Sequence, residues 1–371
     1  MRVLHLTDHY LPVLGGIETH VAALATRHAA RGDDVTVLTS TPATADGRYV
    51  DDRGPVHVHR ARSLLDGSRF DFRAYDVVHA HVSVVAPFSA PLAALASRRG
   101  VPTVVTVHSL WNGMGPIPTA AAGLAGLRTA PVVWTAVSRV AARHVAVRVP
   151  GHPHVPVLPN AVEVPPRAKT PAAGESHPVR LVSTMRIARR KRPHQLLGMF
   201  EELRRSVGRE VELTVVGDGP LRSGLEHRVR RAGLREVVRV TGRLDPEDVL
   251  AELSRADVYV APAVLESFGL ATLEARSVGL PVVGHAASGM RDFVRDGVEG
   301  WLCSSDAAIV ERLVQLVEDD DLRRRISEHN RTVRPTLTWD NALDHADAAY
   351  VRARLTARHA ERRAVRAGVR G

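Results

Sequence analysis

Leu265-Glu266-Ser267-Phe268-Gly269-Leu270-Ala271-Thr272-Leu273-Glu274-Ala275 carries two carboxylates eight positions apart, across what reads as a loop entering a helix. The apolar run Ala256 to Val260 before it has strand composition, and Ala261-Pro262-Ala263 closes that run. Gly269 permits a close backbone approach, and Leu270 to Val278 has the composition of a helix. A strand, a glycine turn and a helix in succession are one half-turn of α/β wiring. Glu266 is expected before the helix and Glu274 in its early turns. Were both helical they would lie about 12 Å apart along the axis, and the loop shortens that. Backbone N–H groups at Phe268, Gly269 and Leu270 are expected to face the same side as both carboxylates. Carboxylates accept from hydroxyls while N–H groups and a helix dipole receive anionic oxygens, so the segment suits a hydroxyl-rich anionic ligand. A bare Glu pair at this spacing also occurs on solvated helices; the Ser-Phe-Gly-Leu insert separates the two readings.

The same rhythm runs through the whole chain of 371 residues, long enough for two domains. In the first half the β-branched runs are Val3 to Thr7, Val35 to Thr39, Val56 to Arg60, Val77 to Val82, Thr103 to His108, Val132 to Ser138 and Val155 to Leu158. Ala-rich helical stretches separate them, which predicts a mostly parallel sheet. Val164 to Pro178 breaks the pattern with Pro165, Pro166, Pro171, Gly174 and Pro178, so residues 166–178 are expected to link domains at 1–165 and 179–338. The second set of strands is Val179 to Thr184, Val211 to Val216, Val237 to Thr241, Asp257 to Val260, Pro281 to Gly284 and Gly300 to Leu302. From Trp339 the apolar stripe Ala342, Leu343, Ala346, Ala349, Tyr350 marks a docking helix within 339–371. Two doubly wound α/β domains that face each other would form a cleft lined by the carboxyl ends of their strands.

Composition is that of an ordinary globular protein, 44% hydrophobic and 24% charged. No apolar run approaches the ~20 residues of a membrane span, and the chain opens on a strand where a signal peptide would have an apolar core, so the cytoplasm is the expected address. Cys303 is the only cysteine, which excludes an internal disulfide and a cysteine-built metal site. The net charge of +10 is uneven: residues 351–371 hold Arg352, Arg354, Arg358, Arg362, Arg363, Arg366 and Arg370 against Glu361. Such a tail is solvated or touches an anionic lipid surface, which would make the protein peripheral at the inner membrane face. Nucleic acid is not expected, because aromatic residues are not interleaved with the arginines. Arginine outnumbers lysine 48 to 2, so Lys191 stands out as a position where a compact ammonium is kept.

Further groups fall at strand ends. Leu14-Gly15-Gly16-Ile17-Glu18-Thr19-His20 follows the first strand and enters a helix, where paired glycines let N–H groups reach a phosphate or simply make a turn. Arg186 and Lys191 flank the loop Met185-Arg186-Ile187-Ala188-Arg189-Arg190-Lys191-Arg192-Pro193; two cations there suit a diphosphate or a solvated basic loop. His108 ends one strand, and His79 and His81 lie on one face of the strand before it. His79 and His81 at i, i+2 could hold a metal, but the sequence offers no third ligand nearby, so no metal is expected. Gly217-Asp218-Gly219-Pro220 lacks the G-x-G-x-x-G spacing of a dinucleotide site.

Taken in order, Gly15-Gly16-Ile17-Glu18-Thr19-His20, Thr106-Val107-His108, Pro159-Asn160, Arg186 with Lys191, Gly217-Asp218-Gly219-Pro220 and Glu266 to Glu274 resemble a retaining glycosyltransferase of family four. The likeness runs from residue 1 to about 355 and implies the GT-B fold, two facing Rossmann-like domains with a C-terminal helix crossing back to the first. It implies that Glu274 binds the nucleotide ribose and that Glu266, with Phe268, Gly269 and Leu270, addresses the donor sugar. Arg186 and Lys191 would hold the diphosphate beside Gly15 and Gly16, and His108 would approach the reacting carbon. Asn160 and Gly217 would belong to the donor site, with Gly242-Arg243-Leu244 near the base. Ser183-Thr184-Met185 stands where a glycine usually precedes the arginine, and Ala287-Ser288-Gly289 where a Gly-Gly pair is often found.

The expected reaction is transfer of a hexose from a nucleotide diphosphate-sugar, UDP- or GDP-linked, to an acceptor hydroxyl with retention, the sugar nucleotide being a substrate and no cofactor or metal being needed. His108, Glu266, Arg186 and Lys191 are the expected catalytic residues. The rivals are a sugar-nucleotide epimerase on the same fold and a non-catalytic nucleotide-sugar-binding protein. The acceptor loops Thr41 to Arg53 and Trp111 to Pro118 carry no decodable signature, and the oligomeric state is not written in the sequence.

Overall fold

A computed structural model of the chain describes residues 1–13, 15–43, 54–110, 120, 122–123, 125–149, 151–163, 178–366 and 368. Leu14, most of each expected acceptor loop, nearly all of the expected linker, and Arg370 lie outside the described residues. The chain divides into two compact units, one of Met1–Ala161 with Trp339–Gly371 and one of Val162–Thr338.

The first unit holds β1 (Arg2–Thr7), β2 (Asp34–Thr39), β3 (Val56–Arg60), β4 (Val77–Val82), β5 (Thr103–Val107) and β6 (Val133–Ala136) in the order β3-β2-β1-β4-β5-β6. All five pairings are parallel. Helices α1 (Gly16–Ala30), α2 (Leu64–Ser68), α3 (Ser89–Arg98) and α4 (Arg139–Arg148) fill the connections. A parallel sheet covered on both faces needs strands that are apolar throughout. β5 obeys with Thr-Val-Val-Thr-Val, every residue buried, whereas β4 is equally buried yet carries His79 and His81.

The expected strand Val155 to Leu158 is not one. Only Val157 pairs with the sheet, by a single parallel bridge to Ala136, with Ala136 N donating to Pro156 O and Leu158 N to Ala136 O. Pro156, which faces the sheet like Leu158, has no N–H to extend the ladder backwards.

The second unit repeats the plan with β7 (Val179–Thr184), β8 (Val211–Val216), β9 (Val238–Gly242), β10 (Val258–Ala261), β11 (Val282–His285) and β12 (Gly300–Cys303), ordered β12-β11-β10-β7-β8-β9 and parallel at each pairing. Its helices are α5 (Pro193–Ser206), α6 (Arg222–Arg231), α7 (Pro246–Arg255), α8 (Leu270–Ser277), α9 (Asp306–Glu318) and α10 (Asp320–Thr332). Their starts follow local chemistry: proline opens α5 and α7, the Ser305 hydroxyl accepts from Ala308 N, and Asp319 accepts from Leu322 N at 2.8 Å. Each sheet reverses its strand order once, between β1 and β4 and between β7 and β10; ligands of open α/β sheets gather beyond the carboxyl ends at such points.

The last helix, α11 (Trp339–Arg366), packs in the first unit through Ala342, Leu343, Ala346, Ala349, Tyr350 and Ala353. Beyond Ala353 no side chain of α11 is buried, and Arg352, Arg358, Arg362, Arg363 and Arg366 are exposed. No helix among the described residues is long and apolar enough to cross a membrane.

Candidate active site

In the second unit, the loops that leave β7 and β10 at the reversal point hold most of the expected site. After Thr184 the chain runs through Met185 to Ala188 into one helical turn at Arg189–Lys191 and then α5. This loop is pinned by its neighbour: Ile187 N donates to Asp218 O at 2.8 Å and Leu221 N to Ile187 O at 3.0 Å. A Cβ on Gly217 would sit 1.9 Å from Met185 O, and one on Gly219 would sit 2.5 Å from Ile187 O. The Gly-Asp-Gly turn is therefore glycine-rich so that two backbones can touch. Gly217 N also bonds Gly242 O at 3.0 Å, which brings Gly242-Arg243-Leu244 to the same end of the sheet. Arg186 and Arg243 are exposed, and neither has a side-chain partner among the described residues.

Lys191 forms an ion pair with Glu266 that joins the β7 loop to the β10 loop. Glu266 is held by its own backbone, whose carbonyl accepts from Gly289 N at 2.9 Å. Gly289 is the glycine that packing requires, since a Cβ there would fall 2.3 Å from Ser267 O. Gly269 adopts φ +95° and starts α8, and the N–H groups of Phe268, Gly269 and Leu270 have no partner among the described residues. The Phe268 side chain is core, packed on Phe293 at 5.4 Å between ring centroids, so its contribution to a site is its backbone.

Glu274 lies half-buried on α8 with no side-chain partner among the described residues. Desolvation by burial pushes its pKa from 4.5 to about 7. Tyr259 on β10 marks how the two acids converge. Burial first, then the charges of both Glu274 and Glu266, raise the phenol's pKa, and its hydroxyl reaches Thr184 O at 3.2 Å. Sequence reading missed Tyr259, and it missed Arg192 as well. Arg192 sits at φ 57°, bonds Asp306 through two nitrogens at 2.8 and 2.7 Å, and also reaches Pro262 O and His285 Nε2, each at 3.0 Å. That fork fixes the start of α5 directly after Lys191. An Arg-Pro step predicts extended backbone before the proline, so no local signal pointed to a left-handed Arg192.

The first unit places its expected residues as follows. Gly15 caps α1 with extended backbone; a Cβ on it would meet the Glu18 carboxylate at 2.4 Å, whereas Gly16 faces open space. Asn160 is buried and its Oδ1 has no hydrogen-bond partner among the described residues. His108 follows β5, is 5% exposed, and donates its backbone N–H to Val82 O at 2.9 Å.

The expectation that His79 and His81 lack a third ligand is corrected: His5 on β1 pairs in register with His79, and one nitrogen of each of the three histidines lies within 4.8 Å of the others. Residues far apart in sequence meet because β1 and β4 are parallel neighbours. Apart from His5 Nε2, the nitrogens are nevertheless engaged. His79 bonds Tyr350 Oη at 3.0 Å and Thr106 Oγ1 at 2.6 Å, and His81 bonds His5 at 3.0 Å and His108 at 3.1 Å. An ion there would have to displace those bonds, so the set reads as a hydrogen-bonded histidine core. Burial is the first cause that lowers the pKa of His5, His79, His81 and His108 well below 6.5, which leaves these rings neutral.

Comparison with known proteins matches the family model "Glycosyltransferase Family 4" over residues 14–164 and "Glycosyl transferases group 1" over residues 171–333. Glycogen synthase of Mycobacterium tuberculosis is 28% identical over 98% of this chain and 96% of its own length. Phosphatidyl-myo-inositol mannosyltransferase of Mycobacterium leprae is 29% identical over 88% and 90% respectively. Among solved structures, Anabaena Alr3699/HepE in complex with UDP-glucose superposes with a TM-score of 0.76 at 17% identity, covering 94% of this chain and 99% of that one.

Proposed function

The chain belongs to the group 1 glycosyltransferases of the GT-B fold, and from that premise we propose that it transfers a hexose from a nucleotide diphosphate-sugar to an acceptor hydroxyl, with retention and without a catalytic metal. The observation that carries the reading is the meeting, at the β7/β10 reversal point, of the Lys191–Glu266 pair with the carboxylate of Glu274, which has no side-chain partner among the described residues. A carboxylate with free lone pairs is an acceptor for the two ribose hydroxyls, and the unpaired N–H groups at Phe268, Gly269 and Leu270 are donors for the sugar and phosphate oxygens. UDP is the first candidate nucleotide, since UDP-glucose occupies the Anabaena protein of the same fold; GDP is the second.

As the bond from the anomeric carbon to the diphosphate breaks, negative charge grows on the departing oxygens. Arg186 and Lys191 supply fixed positive charge to offset it, the role a metal ion fills elsewhere. Lys191 has three N–H donors, one directed at Glu266, so the pair fixes the ammonium while leaving donors for phosphate. With Glu266 committed to Lys191 and Glu274 to the ribose, neither is left as a covalent nucleophile, and retention follows from departure and attack on the same face of the sugar. His108 addresses the transferred sugar. Arg352, Arg358, Arg362, Arg363 and Arg366 on α11 are proposed to contact an anionic membrane surface; co-sedimentation with anionic but not neutral vesicles tests that contact.

Thermal shift against UDP, GDP, ADP and dTDP, followed by turnover of the matching sugar nucleotides, tests the main reading. Stabilisation by one diphosphate and glycosylation of an added acceptor are expected. Isomerised sugar from donor alone would instead make it an epimerase, and binding without turnover on any acceptor would make it a sensor.

A further inference from the structure

Three of the buried histidines form a chain whose hydrogen bonds constrain one another. His5 Nδ1 lies 3.0 Å from His81 Nε2, and His81 Nδ1 lies 3.1 Å from His108 Nε2. A neutral imidazole carries one N–H, so a proton placed in either bond decides the other. In one order every ring is protonated at Nδ1, and His5 donates to His81, which donates to His108. In the other every ring is protonated at Nε2 and the direction reverses.

The two orders differ at the ends. His5 Nε2 is enclosed and has no partner among the described residues. Its stacked neighbour His28, 5.6 Å away between ring centroids, has two enclosed nitrogens that are also unpartnered. The all-Nε2 order would strand an N–H at His5, and orphaned buried N–H groups are rarer than under-satisfied acceptors. At the other end, His108 Nδ1 is not among the enclosed atoms and has no partner among the described residues, so an N–H there can be satisfied from outside.

We propose that His5 and His81 are positioning residues that hold His108 as its Nδ1–H tautomer, so that a hydrogen-bond donor points out of the sheet toward an oxygen of the ligand. The tautomer follows from the first unit alone; its use on a sugar or phosphate oxygen rests on the function proposed above. The inference also explains why a fully buried parallel strand spends positions on His79 and His81: His79 is held by Tyr350 and Thr106, and His81 relays the direction of donation.

The test is long-range 15N–1H correlation of the imidazole rings in the full-length protein at neutral pH. Wild type should show His5, His81 and His108 each with a pyrrole-type Nδ1 and a pyridine-type Nε2. An Nε2–H tautomer at any of the three overturns the proposal, and this reading needs no variant. His81→Asn places an amide N–H where Nδ1 was and should preserve the His108 tautomer. His81→Leu should release it to a mixture, and an unchanged His108 in a folded His81→Leu protein also overturns the proposal. UDP-glucose binding and turnover in His108→Ala separate the two layers: if both match wild type while the tautomers stand, the sugar-contact role falls and the histidine chain remains.

Discussion

Glu274→Gln should stabilise the protein at alkaline pH while weakening its donor binding. The folded pKa of about 7 lies above the ordinary 4.5 because burial penalises the charged form. For an acid whose folded pKa is raised, the favourable contribution exists below 4.5, where both states are protonated, and is lost as pH rises through about 7. At about 1.4 kcal/mol per pH unit, the gap amounts to about 3 kcal/mol, and partial solvent contact trims it to about 2 kcal/mol. Gln is neutral and of the same shape, so the variant escapes that cost. Thermal melts from pH 4 to 9 should show the two proteins converging near pH 4 and the variant ahead by on the order of 5 °C at pH 8.5. Calorimetry with UDP-glucose should show the opposite ranking, with affinity reduced about 10- to 100-fold by loss of a charge-assisted acceptor. Wild-type binding near pH 6.5 should release a proton, because hydroxyl donors favour the ionised carboxylate. A melting difference that does not depend on pH, or a wild type more stable than the variant above pH 7, would refute the desolvation reasoning.

Glu299→Gln should behave in the reverse sense: burial pushes this carboxyl up, but Arg295, His329 and Arg276 hold it at about 2, so its contribution is present above 4.5 and lost as pH falls through 2. The variant should lose about 2–3 kcal/mol at pH 7, with little difference from wild type near pH 2, as read by denaturant melts. Lys191→Ala should cut kcat by more than about threefold, a loss above roughly 0.65 kcal/mol of transition-state stabilisation; kinetics within that factor of wild type would remove the cation role. Arg186→Ala should leave the melting temperature within about 1 °C, since its side chain is exposed and has no partner among the described residues, yet lower turnover. Gly217→Ala should destabilise the second unit severely, because φ is +135° and the new methyl would strike Met185 O.

The strand-and-helix alternation was legible because parallel strands buried on both faces must be nearly all apolar, and each such run became a strand except Val155 to Leu158, where Pro156 lacks the donor that would extend the pairing. The site was legible where residues adjacent in sequence share a loop, as with Glu266 to Glu274. Contacts made by parallel pairing were not legible: His5 meets His79 and His81 only because β1 lies beside β4, a partner choice that no local pattern encodes. The same holds for Arg192 with Asp306 and for Tyr259 beside the two acids. The 217–220 turn lacks the spacing of a dinucleotide site, and the backbone contact that its two glycines answer is one a motif does not reveal.

The most direct test is a crystal structure of the full chain with UDP-glucose, or with the GDP-sugar if thermal shift selects that nucleotide. The account predicts one ligand whose ribose hydroxyls bond the Glu274 carboxylate and whose diphosphate contacts Lys191 Nζ and the Arg186 guanidinium. A nucleotide bound with its diphosphate away from both cations, or its ribose away from Glu274, would contradict it.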